Sequence, residues 1–83
     1  MKESAIIIFH HIKKKISVDV EIPLDITAND FVIAMNQAFD LQMDTNHLSA
    51  CYLKCENPIA LLRGNKTLQE FGVRDGSIIN YTD

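Results

Sequence analysis

The sequence predicts an α+β domain in which one helix packs on one face of a sheet, and three observations carry that prediction. A single stretch, Thr27 to Leu41, repeats its apolar residues at helical spacing. Nearly everything else reads as alternating or β-branched runs broken by turn residues. At 83 residues the chain is one domain with one modest core, because a chain this short buries only about 60–65% of its unfolded surface. A helix with one apolar stripe must bury it against a sheet, which makes two layers.

The helix, about 27–41, is expected to start at Thr27 as N-cap, with Asp30 favouring the positive end of the helix dipole. Phe31, Ala34, Met35 and Ala38 then form the stripe that faces the sheet. Ahead of it, Ala5 to Phe9 is a first strand, and Ile16 to Ile22 alternates without a slip: Ile16, Val18, Val20 and Ile22 on one face, Ser17, Asp19 and Glu21 on the other. The polar link His10 to Lys15 is short enough for an antiparallel hairpin. Pro23 ends the second strand, since it has no N–H for the ladder. After the helix a polar segment, QMDTNH, crosses the end of the sheet, and Ala50 to Cys55 resumes strand character with Cys51, Leu53 and Cys55 inward. Asn57-Pro58 turns into a short fourth strand, Ile59 to Leu62. Thr67 caps a single helical turn, from which Leu68, Phe71 and Val73 enter the core, and Ser77 to Tyr81 is the last strand.

Composition removes several classes of function. The chain is 47% hydrophobic and 23% charged, which excludes disorder, and its formal charge of −3 argues against a protein that must neutralise phosphates. The run Ala5 to Phe9 is too short for a membrane span or a signal-peptide core, so a cytoplasmic location without membrane insertion is expected. Cys51 and Cys55 on one extended strand would lie roughly 13 Å apart, about twice what a disulfide tolerates, and read as small core residues. His10, His11 and His47 lack zinc-site spacing and read as solvated loop histidines, so no metal or other cofactor is expected. Gly64-Asn65-Lys66 lacks the glycine spacing of a phosphate loop. The triple Lys13-Lys14-Lys15 is a solvated hairpin tip or a contact for an acidic surface.

Two sequential hairpins around a helix, with TLQEFGVRDGSII before the chain end, resemble the β-grasp of ubiquitin over nearly the whole length. More specifically, FHHIKKK, VDVEIPLDI, LKCENPIALL and FGVRDGSII resemble the YukD/EsaB family, small ubiquitin-like proteins of Gram-positive type VII secretion systems. The resemblance implies a single ubiquitin-like domain over residues 1–83, with a mixed sheet of four to five strands on one main helix. It implies a non-enzymatic cytoplasmic accessory or regulatory component that contacts proteins of the machinery for WXG100-type substrates. Ubiquitin acts through a Gly-Gly tail, whereas this sequence ends Tyr81-Thr82-Asp83 directly after the last strand, so no conjugation is expected. The same absence argues against a sulfur carrier, and two cysteines cannot hold a ferredoxin cluster. A generic ubiquitin-like adaptor in an unrelated pathway is the alternative.

Strand one supplies the candidate contact surface. All five of its residues are apolar, yet a strand with one covered face needs alternation. With Ala5, Ile7 and Phe9 inward, Ile6 and Ile8 are left outside, where with Tyr52 they would make an exposed patch. Lys54 lies on the same face, where ubiquitin carries its apolar patch. Two readings stay open: scattered surface isoleucines or a register off by one, and a contact through Ile6, Ile8, Tyr52 and Lys54 for a partner protein or for a second copy in a homodimer.

Overall fold

The computed structural model of the protein describes residues 3–82. Strands β1 (Ser4–His11) and β2 (Ile16–Pro23) form an antiparallel hairpin, followed by helix α1 (Ala28–Phe39), a kinked 3-10 segment (Thr45–Ala50), the hairpin of β3 (Leu53–Glu56) and β4 (Ala60–Leu62), the single turn α2 (Leu68–Phe71) and β5 (Ile78–Tyr81). The strand order is β2-β1-β5-β3-β4, with β5 parallel to β1 and antiparallel to β3. The sheet is therefore mixed, of five strands, with its chain-end strand in the middle and β2 and β4 at the edges. The α+β architecture is as the sequence predicts.

Both helices start on threonine caps. The Thr27 hydroxyl accepts from the Asp30 N–H at 3.1 Å, and α2 carries a full capping box, Thr67 Oγ1 accepting from the Glu70 N–H while Glu70 Oε1 accepts from the Thr67 N–H at 2.9 Å. The two caps are bridged to each other, with the Ala28 N–H on the Lys66 carbonyl and the Leu68 N–H on that of Ile26. Gly72 closes α2 in the left-handed region at φ 87°, where a side chain would be strained. The Glu70 carboxyl is held below the ordinary glutamate value, first by the Thr67 N–H, then by the Thr67 hydroxyl. A depressed folded value stabilises the fold above the unfolded pKa and is lost as pH falls through the folded one. Thr67→Ala is expected to cost about 0.5–2 kcal/mol through the lost cap, and to move the Glu70 midpoint upward in a carboxyl NMR titration. An unmoved midpoint would refute the contact of the Thr67 hydroxyl with the Glu70 carboxylate.

The core lies between the sheet and α1 and includes Ile7, Phe9, Phe31, Leu53, Leu62, Leu68 and Ile79, each at or below 1% exposure. Val18 and Val20 pack against it from β2, less completely because β2 is an edge strand, and Ile16 is exposed where the hairpin overhangs. The buried face of α1 is Ala28, Phe31, Val32 and Met35, with Phe39 stacking on Phe9 at 4.7 Å between ring centroids. Ala34 and Ala38 are exposed, contrary to the expected stripe. Two four-residue stripes share Phe31 and Met35, and the one with larger side chains faces the sheet because it buries more apolar area. The helix also ends at Phe39, two residues before the expected end, because Asp40 turns left-handed at φ 52°.

Other boundaries move for tertiary reasons. β1 runs past Phe9 to His11, since β5 pairs with it as far as the His11–Tyr81 partners. His11 is consequently no loop histidine: it is buried, edge-on to the Tyr81 ring at 5.0 Å, its Nδ1 accepting from the Lys14 N–H at 3.4 Å. His10 is half-buried on β1, and only His47 is exposed. The segment expected as crossing polar chain folds into the 3-10 turn, capped by the Asp44 carboxylate on the Asn46 N–H at 3.0 Å. It also contains Ala50, so Cys51 precedes β3 rather than lying on it. Both cysteines are buried and free, as expected of core residues. The fourth strand begins at Ala60, not Ile59.

Candidate protein-contact surface

Helix α1 covers one face of the sheet and leaves the other to solvent. Register lays out that outer face in rows. One row runs Asp19, Ile8, Ile78 and Glu56 across β2, β1, β5 and β3. The next runs Ser17, His10, Asn80, Lys54 and Leu61. Ala5, Ile7 and Phe9 point inward, so Ile6 is 53% exposed and Ile8 half-buried on the outer face, as the sequence reading requires. Ile6 is held there by its backbone: its N–H donates to Asp75 Oδ1 at 2.8 Å and its carbonyl accepts from the Gly76 N–H at 3.0 Å.

The four candidate residues do not form one patch. Ile8 sits beside Ile78, but Tyr52 lies three rows beyond Ile6, roughly 20 Å along the strand direction. The row of His10, Asn80 and Lys54 lies between them. Asn80 donates to Glu56 Oε2 at 2.7 Å, which makes that stretch of the face polar. The expectation fails because Tyr52 and Ile6 alternate to the same side but stand at opposite ends of the sheet, on either side of β5, which is parallel to β1 and antiparallel to β3.

Tyr52 and Lys54 belong instead to a cleft of about 330 Å³ between the 3-10 segment and the ends of β3 and β5. Met43, Cys51 and Tyr81 contribute apolar surface, Asp44 and Lys54 supply charge at the rim, and His47 adds an imidazole there. The chain leading into the 3-10 segment is fixed to α1 and to β5. Asn36 accepts from the Met43 N–H at 2.9 Å, and the Tyr81 hydroxyl donates to the Leu41 carbonyl at 3.1 Å. His47 Nδ1 contacts Asp44 Oδ2 at 2.8 Å, an exposed pair. The Cys51 thiol donates to the Asp44 carbonyl at 3.3 Å. Burial pushes the Cys55 thiol up to about 11, with the Glu56 carboxylate adding to the rise and Arg74 opposing it, so this thiol is protonated at neutral pH and a poor nucleophile. Among the described residues no group of three acidic, histidine or cysteine side chains is placed to hold a metal ion. What the cleft offers is a concave apolar floor with polar edges.

Exposed apolar residues outside the sequence candidates include Ile12 and Ile16 at the β1–β2 turn and two residues at the β4 edge. Of the latter, Ile59 is 92% and Leu61 46% exposed. Their signal was present in Ile59-Ala60-Leu61-Leu62, an uninterrupted apolar run in a strand with one covered face, the same anomaly that marks β1.

Two solved structures share this arrangement. A ubiquitin-like domain from tubulin-binding cofactor B matches with a TM-score of 0.77 at 18% identity, covering 100% of this chain and 92% of that one. The C-terminal ubiquitin-like domain of mouse tubulin-specific chaperone e matches at 0.71 and 11% identity, covering 95% and 84%. The protein is thus a ubiquitin-like β-grasp domain with an apolar-floored cleft at one end of its sheet. Residues 7–80 match the family described as "WXG100 protein secretion system (Wss), protein YukD", and the chain belongs to that family. No curated protein sequence matches significantly. No helix among the described residues is long and apolar enough to cross a membrane.

Proposed function

We propose that the protein is a non-enzymatic, cytoplasmic accessory component of the WXG100 (type VII) secretion machinery of a Gram-positive bacterium, acting on other proteins of that machinery by reversible contacts. The family match over residues 7–80 carries this reading. The cleft rimmed by Tyr52 and Lys54 supports it as the place where a partner side chain is received, with Ile6 and Ile8 as a separate apolar contact. The protein works without being attached covalently to targets; each of its three glycines is taken up in a turn, with φ between 86° and 90°. The carboxyl-terminal Asp83, on which the expectation of an unsuitable tail partly rested, lies outside the described residues.

Deleting the gene in its own host is expected to abolish or sharply reduce export of WXG100 substrates, and the wild-type gene to restore it. The combination Tyr52→Ala with Lys54→Glu should give a folded protein that fails to restore export. Unchanged export in the deletion strain would overturn the secretion role; full restoration by the double variant would overturn only the cleft. A ladder of tagged, higher-mass species surviving boiling in denaturant and reductant would refute the non-covalent mode of action.

A further inference from the structure

The two edges of the sheet are built differently. β2 carries Asp19 and Glu21 on the outer face, so laying two β2 strands side by side along their full length places carboxylates opposite one another. Like charges directly opposed across strands are destabilising, a device by which natural edges resist pairing. β4 has no such protection. Its three residues, Ala60–Leu62, are uncharged and hydrogen-bonded on one side only, to β3. Leu61 stands on its outer face, and Ile59, in the turn just ahead of it, is 92% exposed. An apolar unpaired edge of this kind is a template for another strand.

The residues flanking that edge indicate which strand. The β3–β4 register pairs Lys54 with Leu61 and Cys55 with Ala60, so the turn closes with Glu56 beside Ile59, and the two line one shallow depression. Arg63, one residue beyond β4, is exposed and continues the alternation in which Ile59 and Leu61 are exposed and Leu62 is buried. When a second β4 is laid antiparallel with Leu61 opposite Leu61, Ile59 of each copy falls opposite Arg63 of the other. The Arg63 stem then crosses Ile59 and carries its guanidinium to Glu56, and the twofold axis makes the contact twice. The edge is thus complementary to itself in both apolar surface and charge.

We propose that β4 is a docking edge for a second copy of this chain, paired antiparallel about a twofold axis at Leu61 and clasped by reciprocal Glu56–Arg63 ion pairs. The surface adjoins the cleft, Lys54 and Asn80 lining both, but the proposal does not depend on the secretion role. A three-residue edge with two apolar side chains per copy lies at or below the small end of specific interfaces, so the dimer is weak and forms at high local concentration.

Sedimentation equilibrium from micromolar to millimolar protein tests the proposal. Wild type is expected to approach the mass of two chains and no more. Leu61→Lys, which opposes two ammonium groups at the axis, should leave it monomeric with an unchanged circular dichroism spectrum. Glu56→Arg and Arg63→Glu should each weaken association about tenfold, since the axis counts each change twice. The double variant Glu56→Arg with Arg63→Glu should restore wild-type association by exchanging the partners, and it keeps the test decisive should Leu61→Lys perturb folding. A wild-type mass that stays at one chain at millimolar concentration would overturn the proposal. So would growth beyond two chains, which would mean head-to-tail pairing of β4 with β2, or a double variant that fails to recover, which would mean the edge serves a different partner.

Discussion

Truncating Phe31 to alanine is expected to cost about 3–5 kcal/mol, with Met35→Ala costing about 2–5. Phe31 is 1% exposed and Met35 4%, and both belong to the cluster that joins α1 to Ile7, Phe9, Leu53, Leu68 and Ile79. The side chains point from the only long helix into the only extended apolar layer of the described residues, so the space they vacate has no second shell to collapse into it. A domain this size has only several kcal/mol of stability, and Phe31→Ala would leave it at the margin of folding at ambient temperature. Urea titration reads the effect as a fall in midpoint. Lys54→Ala, on the outer face, should stay within about 0.5 kcal/mol of wild type. A neutral Phe31→Ala together with a destabilising Lys54→Ala would invert the assignment of the two sheet faces.

Replacing Ser77 with alanine is expected to cost about 1–3 kcal/mol, although it removes a single oxygen. Ser77 is fully buried just ahead of β5. Its hydroxyl donates to the Asn57 carbonyl in the β3–β4 turn and accepts from the Arg74 N–H at 3.0 Å. The change leaves a carbonyl and an N–H without their partner and loosens the turn from the strand it lies against. Ser49→Ala, at an exposed position, is the control and should be close to neutral. Equal midpoints for the two variants would show that water replaces the hydroxyl at no cost.

These two positions differ in how well their roles could be read beforehand. Phe31 and Met35 belong to both helical stripes that the periodicity allows, so their burial follows whichever stripe is chosen. Ser77 looked like an ordinary strand residue, because nothing in the local sequence says that a turn twenty residues earlier will present a carbonyl to it. The candidate site divides similarly. The uninterrupted apolar run of β1 revealed that Ile6 and Ile8 face outward, and the register agrees. It could not reveal that Tyr52 stands at the far end of the sheet, since that depends on β5 coming between β1 and β3. The cleft was illegible because one wall is polar chain following α1, and that chain is tied to β5 by the Tyr81 hydroxyl on the Leu41 carbonyl, forty residues away.

What the sequence determined by itself was local: the alternation of Ile16 to Ile22, the threonine caps three residues ahead of Asp30 and Glu70, the turns, and the number of layers that one amphipathic helix requires. These depend on interactions within a few residues, which leave a periodic or positional trace. What only the tertiary structure decided was relational: which helix stripe meets the sheet, that β1 extends to a buried His11, that β5 is central, and that β4 is an edge. Strand order sets which backbone groups remain unpaired and which side chains become neighbours. That outcome comes from burying the most apolar area across segments far apart in the chain, and no short window of sequence carries it.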